Sequence, residues 1–141
     1  MQKEVLISIC GKEFYPAEQE ENVTNMVTEG KYYKKGNKHF LSYHETEMTG
    51  LGETKTMLKI DDGTVFVTRY GQVNSHMVFK SGEKHTGHYD TPFGSFTVSV
   101  LSDAVKVDMG EKSGTIDIRY TLEIDNSTKA EHTLCLKVQE M

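Results

Sequence analysis

Apolar and polar residues alternate along most of this chain with a period of two. Phe96, Val98 and Val100 are interleaved with Ser95, Thr97 and Ser99. Ile116, Ile118, Tyr120, Leu122 and Ile124 are interleaved with Asp117, Arg119, Thr121 and Glu123. Val5, Ile7 and Ile9 form a third set, and Leu134, Leu136 and Val138 a fourth. Alternation of this kind puts one side-chain set on the buried face of a β-strand. No helical periodicity is sustained over three turns. The best candidate, residues 16–22 (PAEQEEN), is short and polar and reads as an acidic turn.

Turn signals separate the alternating runs at Gly36-Asn37, Asp62-Gly63, Gly71-Gln72, Ser81-Gly82, Ser102-Asp103 and residues 111–114. They predict strands near 3–10, 23–35, 38–47, 54–61, 64–70, 73–80, 84–90, 93–101, 104–110, 115–124 and 132–139. A tight turn dictates which residues face each other, and facing residues share a side of the sheet. Asp62-Gly63 sets Ile60 against Val65 and Leu58 against Val67. Gly36-Asn37 sets Tyr32 against Leu41 and Gly30 against Tyr43. Ser102-Asp103 sets Val100 against Val105 and Val98 against Val107. Residues 111–114 set Met109 against Ile116 and Val105 against Tyr120. All four hairpins agree on which face is inside.

The expected fold class is therefore all-β: an up-and-down antiparallel meander, closed into a barrel of about 8–10 strands because closure removes the edges. A two-sheet sandwich is the alternative. The length of 141 residues suits a single β-barrel domain over 1–141. No apolar run approaches the roughly 20 residues that span a bilayer, so no membrane partner is expected. The formal charge of −5 offers no basic footprint for nucleic acid. The two cysteines, Cys10 and Cys135, and the lack of an export signal point to a cytoplasmic chain with free thiols. Both have outward parity, and they become neighbours if the end strands pair.

Following the inward face gives one polar constellation. Glu45 shares parity with Leu41 and Tyr43, and Arg69 with Val65 and Val67. The registers place Thr28 opposite Glu45 and Thr56 opposite Arg69, and the parity of the connecting segment permits Glu45 opposite Thr56. Glu45 and Arg69 then sit two strands apart, roughly 10 Å between backbones, within side-chain reach. One reading is a structural ion pair plugging a barrel end; the other is an Arg69 anchor for an anionic ligand. Tyr32, Tyr43, Phe79, Phe96, Tyr120 and Met109 are expected in the same interior. Tyr89, Thr91 and Phe93, around Pro92 and Gly94, form a strand corner or a rim that touches a guest. The candidate ligand-binding residues are thus Thr28, Tyr43, Glu45, Thr56, Arg69, Tyr89, Phe93 and Tyr120. His85 and His88 point to opposite faces of a strand, so they do not chelate together. The charge pairing of Lys80 with Glu83 favours a register in which His76 and His88 do not face each other. No metal or other cofactor is expected.

The order Gly30-Lys31-Tyr32-Tyr33, Leu41-Ser42-Tyr43-His44-Glu45, Arg69-Tyr70-Gly71, Tyr89 with Phe93-Gly94, and Ile116-x-Ile118-x-Tyr120 resembles the YwiB family of small bacterial proteins. The resemblance runs from about Val23 to Val138. It implies a calycin-like (lipocalin-like) β-barrel, a bacterial cytoplasmic origin and no assigned activity or catalytic residues. The first loop, with Pro16, departs from the family pattern.

Three functions follow. The first is binding of a small anionic or amphipathic molecule inside the barrel. The second is a protein-interaction module, monomeric or homodimeric, using the outward aromatics Tyr33, Phe40, Phe66 and Tyr70. The third, an enzyme, is not expected, because no partnered nucleophile and base can be assembled.

Overall fold

The Asp62-Gly63 turn shows how the chain folds locally. Both residues take positive φ, 48° and 77°, the left-handed geometry of tight turns whose twist matches that of paired strands. They bring Ile60 opposite Val65 and Leu58 opposite Val67, and all four side chains are buried. The next hairpin upstream likewise pairs Tyr32 with Leu41 and Gly30 with Tyr43.

This computed structural model describes residues 2–45, 53–125 and 128–141. The strands are β1 (Lys3–Tyr15), β2 (Glu20–Lys35), β3 (Lys38–Glu45), β4 (Thr54–Asp61), β5 (Thr64–Gly71), β6 (Asn74–Phe79), β7 (Lys84–Thr91), β8 (Gly94–Met109), β9 (Ser113–Ile124) and β10 (Thr128–Glu140). Each pairs antiparallel with its neighbours in sequence, and β1 pairs with β10, so the meander closes into a ten-stranded barrel. Closure runs from Val5 opposite Glu140 to Phe14 opposite Glu131, so neither terminal strand is left as an edge. Cys10 lies opposite Cys135 in this ladder, and both thiols are free.

The core is the lumen. Ile7, Leu41, Val65, Val100, Ile116, Ile118 and Leu136 are fully buried there. Each such side chain contributes on the order of 1.5–3 kcal/mol relative to exposure. The inward sets predicted by alternation supply this core from almost every strand.

Four expectations are corrected. Ser102-Asp103 is not a turn: β8 continues through it, with a bulge between Ser102 and Ala104. Neither residue takes the positive φ that a two-residue hairpin turn requires. Val98 therefore pairs with Ile124 and Val100 with Leu122, not with valines of their own strand. The β8–β9 turn is tighter than expected, with Met109 facing Gly114 and Val105 facing Ile118. The Met109 sulfur occupies the space that a Cβ on Gly114 would need, 2.5 Å away. Glu45 faces Thr54, and Thr56 faces Tyr43. The connection that set this register spans residues 46–52, outside the described residues.

The fourth correction concerns β6 and β7. Their ladder pairs Asn74 with Asp90 and Ser75 with Tyr89, the register that directs His76 toward His88. The Lys80–Glu83 ion pair does form, at 3.2 Å, but inside the turn, where Glu83 N–H donates to the Lys80 carbonyl. The turn is held instead by β8: Gly82 N–H donates to the Ser102 carbonyl at 2.8 Å, and Ser102 N–H to the Glu83 carbonyl at 3.0 Å. A pair confined to the turn does not propagate its register into the strands.

Candidate functional site

Tyr43, Thr56, Arg69, Ser75 and Tyr89 are successive ladder partners on β3 to β7. They form one inward polar row of about 19 Å, given the strand spacing. Glu45, two residues beyond Tyr43 on β3, is buried with it. Thr56 Oγ1–H donates to Glu45 Oε1 at 2.8 Å. Arg69 Nε lies 3.9 Å from the same oxygen, which is an ion pair but too long for a hydrogen bond. Arg69 Nε and Ser75 Oγ are both buried without a hydrogen-bond partner among the described residues. An orphan of this kind usually costs free energy, so two adjacent ones in a lumen point to something that the protein alone does not supply.

Three tyrosines sense the Arg69 charge. Burial pushes the Tyr43 hydroxyl well above its ordinary range, and Glu45 adds to the rise while Arg69 opposes it. Burial also raises Tyr89 and takes Tyr120 up to about 12, again against the pull of Arg69. All three therefore stay neutral donors at physiological pH. Phe79 on β6 meets Tyr120 on β9 at 4.8 Å between ring centroids, a contact that crosses the lumen. Tyr120 in turn stacks on His132 at 4.9 Å.

Tyr43, Glu45, Thr56, Arg69, Tyr89 and Tyr120 are thus brought together as the alternation predicts. Thr28 is not. The β2–β3 ladder begins only at Gly30, so Thr28 pairs with Ile7 on β1 and its hydroxyl turns to the Glu29 carbonyl. Phe93 is also outside the site, at 95% exposure. The turn around Pro92 is closed by Thr91, whose hydroxyl accepts from Phe93 N–H and donates to the Gly94 carbonyl, and this projects the ring into water. Phe96, expected inside, is likewise exposed.

Sequence reasoning missed Ser75, Glu13 and His132. Glu13 continues the inward parity of Val5, Ile7 and Ile9, because β1 runs to Tyr15 rather than stopping at residue 10. It faces His132 across the closure ladder and accepts the Tyr15 hydroxyl at 3.0 Å. His132 and Ser75 share parity with Leu134 and Met77. The alternation carried the signal, but stopping at the last apolar residue discarded it. Among the described residues no three His, Cys, Asp or Glu side chains converge as metal ligands.

A hollow of about 910 Å³ opens at the opposite end among Ile60, Val105, Val107 and Met109. Its polar neighbours satisfy each other, with Tyr32 Oη and His39 Nδ1 at 2.7 Å. Arg69 Nε and Ser75 Oγ, two of the buried groups that lack a hydrogen-bond partner, sit side by side at the Arg69 end, which we take as the site.

A family model described as a domain of unknown function, DUF1934, matches residues 7–136. The chain belongs to the DUF1934 family. The Bacillus subtilis (strain 168) uncharacterized beta-barrel protein YwiB is 29% identical to this DUF1934 chain over 136 residues, covering 96% of it and 94% of YwiB. The crystal structure of ywiB protein from Bacillus subtilis superposes on this DUF1934 barrel with a TM-score of 0.88 and 25% identity, covering 99% of this chain and 93% of that one. The sequence resemblance to the YwiB family is therefore met in both sequence and fold.

The buried histidine gives a pH prediction. Burial holds His132 below the ordinary value of 6.5, with Glu13 pulling the other way. Below pH 6.5 the unfolded chain binds a proton that folded His132 resists, so stability is full above that pH and is lost as pH falls through the folded value. His39 and His85 are shifted in the same direction, also chiefly by burial. Thermal melts are expected to show a falling melting temperature from about pH 7.5 to about pH 5.5. NMR titration should place the His132 midpoint below 6.5; a midpoint above it refutes the shift.

Proposed function

We propose that this barrel is a cytoplasmic, non-catalytic binding protein that takes a small amphipathic acid into its lumen, with the acid group on Arg69. The observation that carries this reading is the pair of buried donors without a hydrogen-bond partner, Arg69 Nε and Ser75 Oγ, side by side in one ladder. A carboxylate or sulfonate satisfies both, and a guanidinium donor is the stronger partner for either. Neutral Tyr89 and Tyr120 add hydroxyl donors, and the Phe79–Tyr120 contact offers an apolar wall for the rest of the molecule. The two free thiols support the compartment.

The test uses the fluorescent sulfonate 1-anilinonaphthalene-8-sulfonate. Titration of wild type is expected to show saturable binding, weakened about tenfold or more in Arg69→Gln and several-fold in Ser75→Ala, as loss of charged and neutral hydrogen bonds predicts. Ser75→Ala removes only a hydroxyl and should leave the melting curve unchanged. Equal affinity in wild type and Ser75→Ala, or no saturable binding to wild type, refutes the lumen site.

A further inference from the structure

The net charge of −5 is a sum, and the fold replaces it with a distribution. Outward positions of β2 to β5 carry three lysines: Lys55 between His44 and Tyr70, Lys59 between Phe40 and Phe66, and Lys31 between Glu4 and Ser42. Tyr33 and Phe40 are ladder partners and stack at 4.5 Å with their planes 7° apart. Lys59 pairs with Phe40 on one side and Phe66 on the other, and its ammonium sits 5.4 Å above the Phe66 ring. His76 stacks beyond Phe66 at 6.4 Å. Ser42, the short residue in this grid, leaves a depression, and a groove of about 350 Å³ runs over it past all three lysines. Among the described residues no Asp or Glu lines that groove.

We infer that this outer face binds single-stranded nucleic acid. Charge complementarity demands an anion, and the rings narrow the choice. A single strand offers bases and phosphates in alternation, matching the two rows in which a lysine lies between rings, Phe40–Lys59–Phe66 and His44–Lys55–Tyr70. Stacking tolerates any base, because every base has a π-face. An acidic peptide would satisfy the lysines but bring no base to stack on the Phe40 and Phe66 rings. β2 to β5 are each paired on both sides, so the occupant lies across the face and is read by side chains. The face is separate from the lumen, since Phe66 and Lys59 have the opposite parity to Arg69 and Thr56.

Fluorescence anisotropy with a labelled oligouridylate of about 12 nucleotides tests this. Binding should weaken with salt at a slope near −2 in the logarithmic plot, since three lysines each contribute about −0.7 on a single strand. Phe66→Leu keeps the apolar packing but removes the ring, and should weaken binding about tenfold with the slope unchanged. Lys59→Gln should reduce the slope by about 0.7. Ser75→Ala, in the lumen, should bind as wild type does. No binding at low salt, or an unchanged affinity in Phe66→Leu, overturns the inference. Equal competition by polyglutamate also overturns it and assigns the face to an acidic polypeptide.

Discussion

Gly30→Ala is expected to lower the melting temperature by roughly 10 °C, from a loss of about 3 kcal/mol, which overpacking of a rigid site reaches. Gly30 sits on β2 between β1 and β3. A Cβ there would meet both Ile7 Cδ1 and the Ser42 carbonyl oxygen at 2.5 Å. Ile7 is fully buried, so pushing its Cδ1 aside disturbs the core around it. The carbonyl belongs to the β2–β3 ladder, so it yields only if strands separate. Gly11→Ala is the control: nothing lies within 4 Å of its Cβ position, and that variant should melt within a degree or two of wild type. Circular dichroism melts of both variants decide the matter. A Gly30→Ala loss no larger than that of Gly11→Ala would show that β1, β2 and β3 are not packed this closely.

Arg69→Leu is expected to cost about 3 kcal/mol, at the lower end for a broken buried pair because Arg69 keeps some exposure. Its side chain is 20% exposed and that of Glu45 only 3%. Removing the guanidinium leaves the Glu45 carboxylate buried with neutral hydroxyl donors, Thr56 and Tyr43, beside it. The double variant Glu45→Leu/Arg69→Leu removes both charges and should recover most of the loss, since a buried pair replaced by apolar groups is often neutral. Urea unfolding of the single and double variants measures this. A single variant as stable as wild type would mean that Glu45 is not held by Arg69.

The two mutants also show what was legible in the sequence. Parity along β3 and β5 sufficed to place Glu45 and Arg69 in the lumen, because a one-residue slip would have turned Leu41 and Val67 outward. Parity does not determine register, however. Glu45 is displaced by one ladder step from Thr56 to Thr54, and the β8–β9 turn by one step as well, without any apolar side chain leaving the core. Nor does parity tell a bulge from a turn, which is why Ser102-Asp103 divided β8 in two. The polar inward residues Glu13, Ser75 and His132 carried no apolar signal of their own. The outward rings Tyr33, Phe40 and Phe66 were legible by parity, but the lysines among them were not: the face draws on five strands, β2 to β6, and its members meet only when those strands are laid side by side.

The pairing of β1 with β10 also has a consequence for synthesis. Val5 and Ile7 find their partners on a segment made more than a hundred residues later. Until β10 leaves the ribosome, β1 and β9 both present unpaired backbone, the surface on which another nascent copy can add. The slow step in making this protein is thus expected to be the final zipping of its seam, with its loop-closure cost, rather than the formation of any one hairpin.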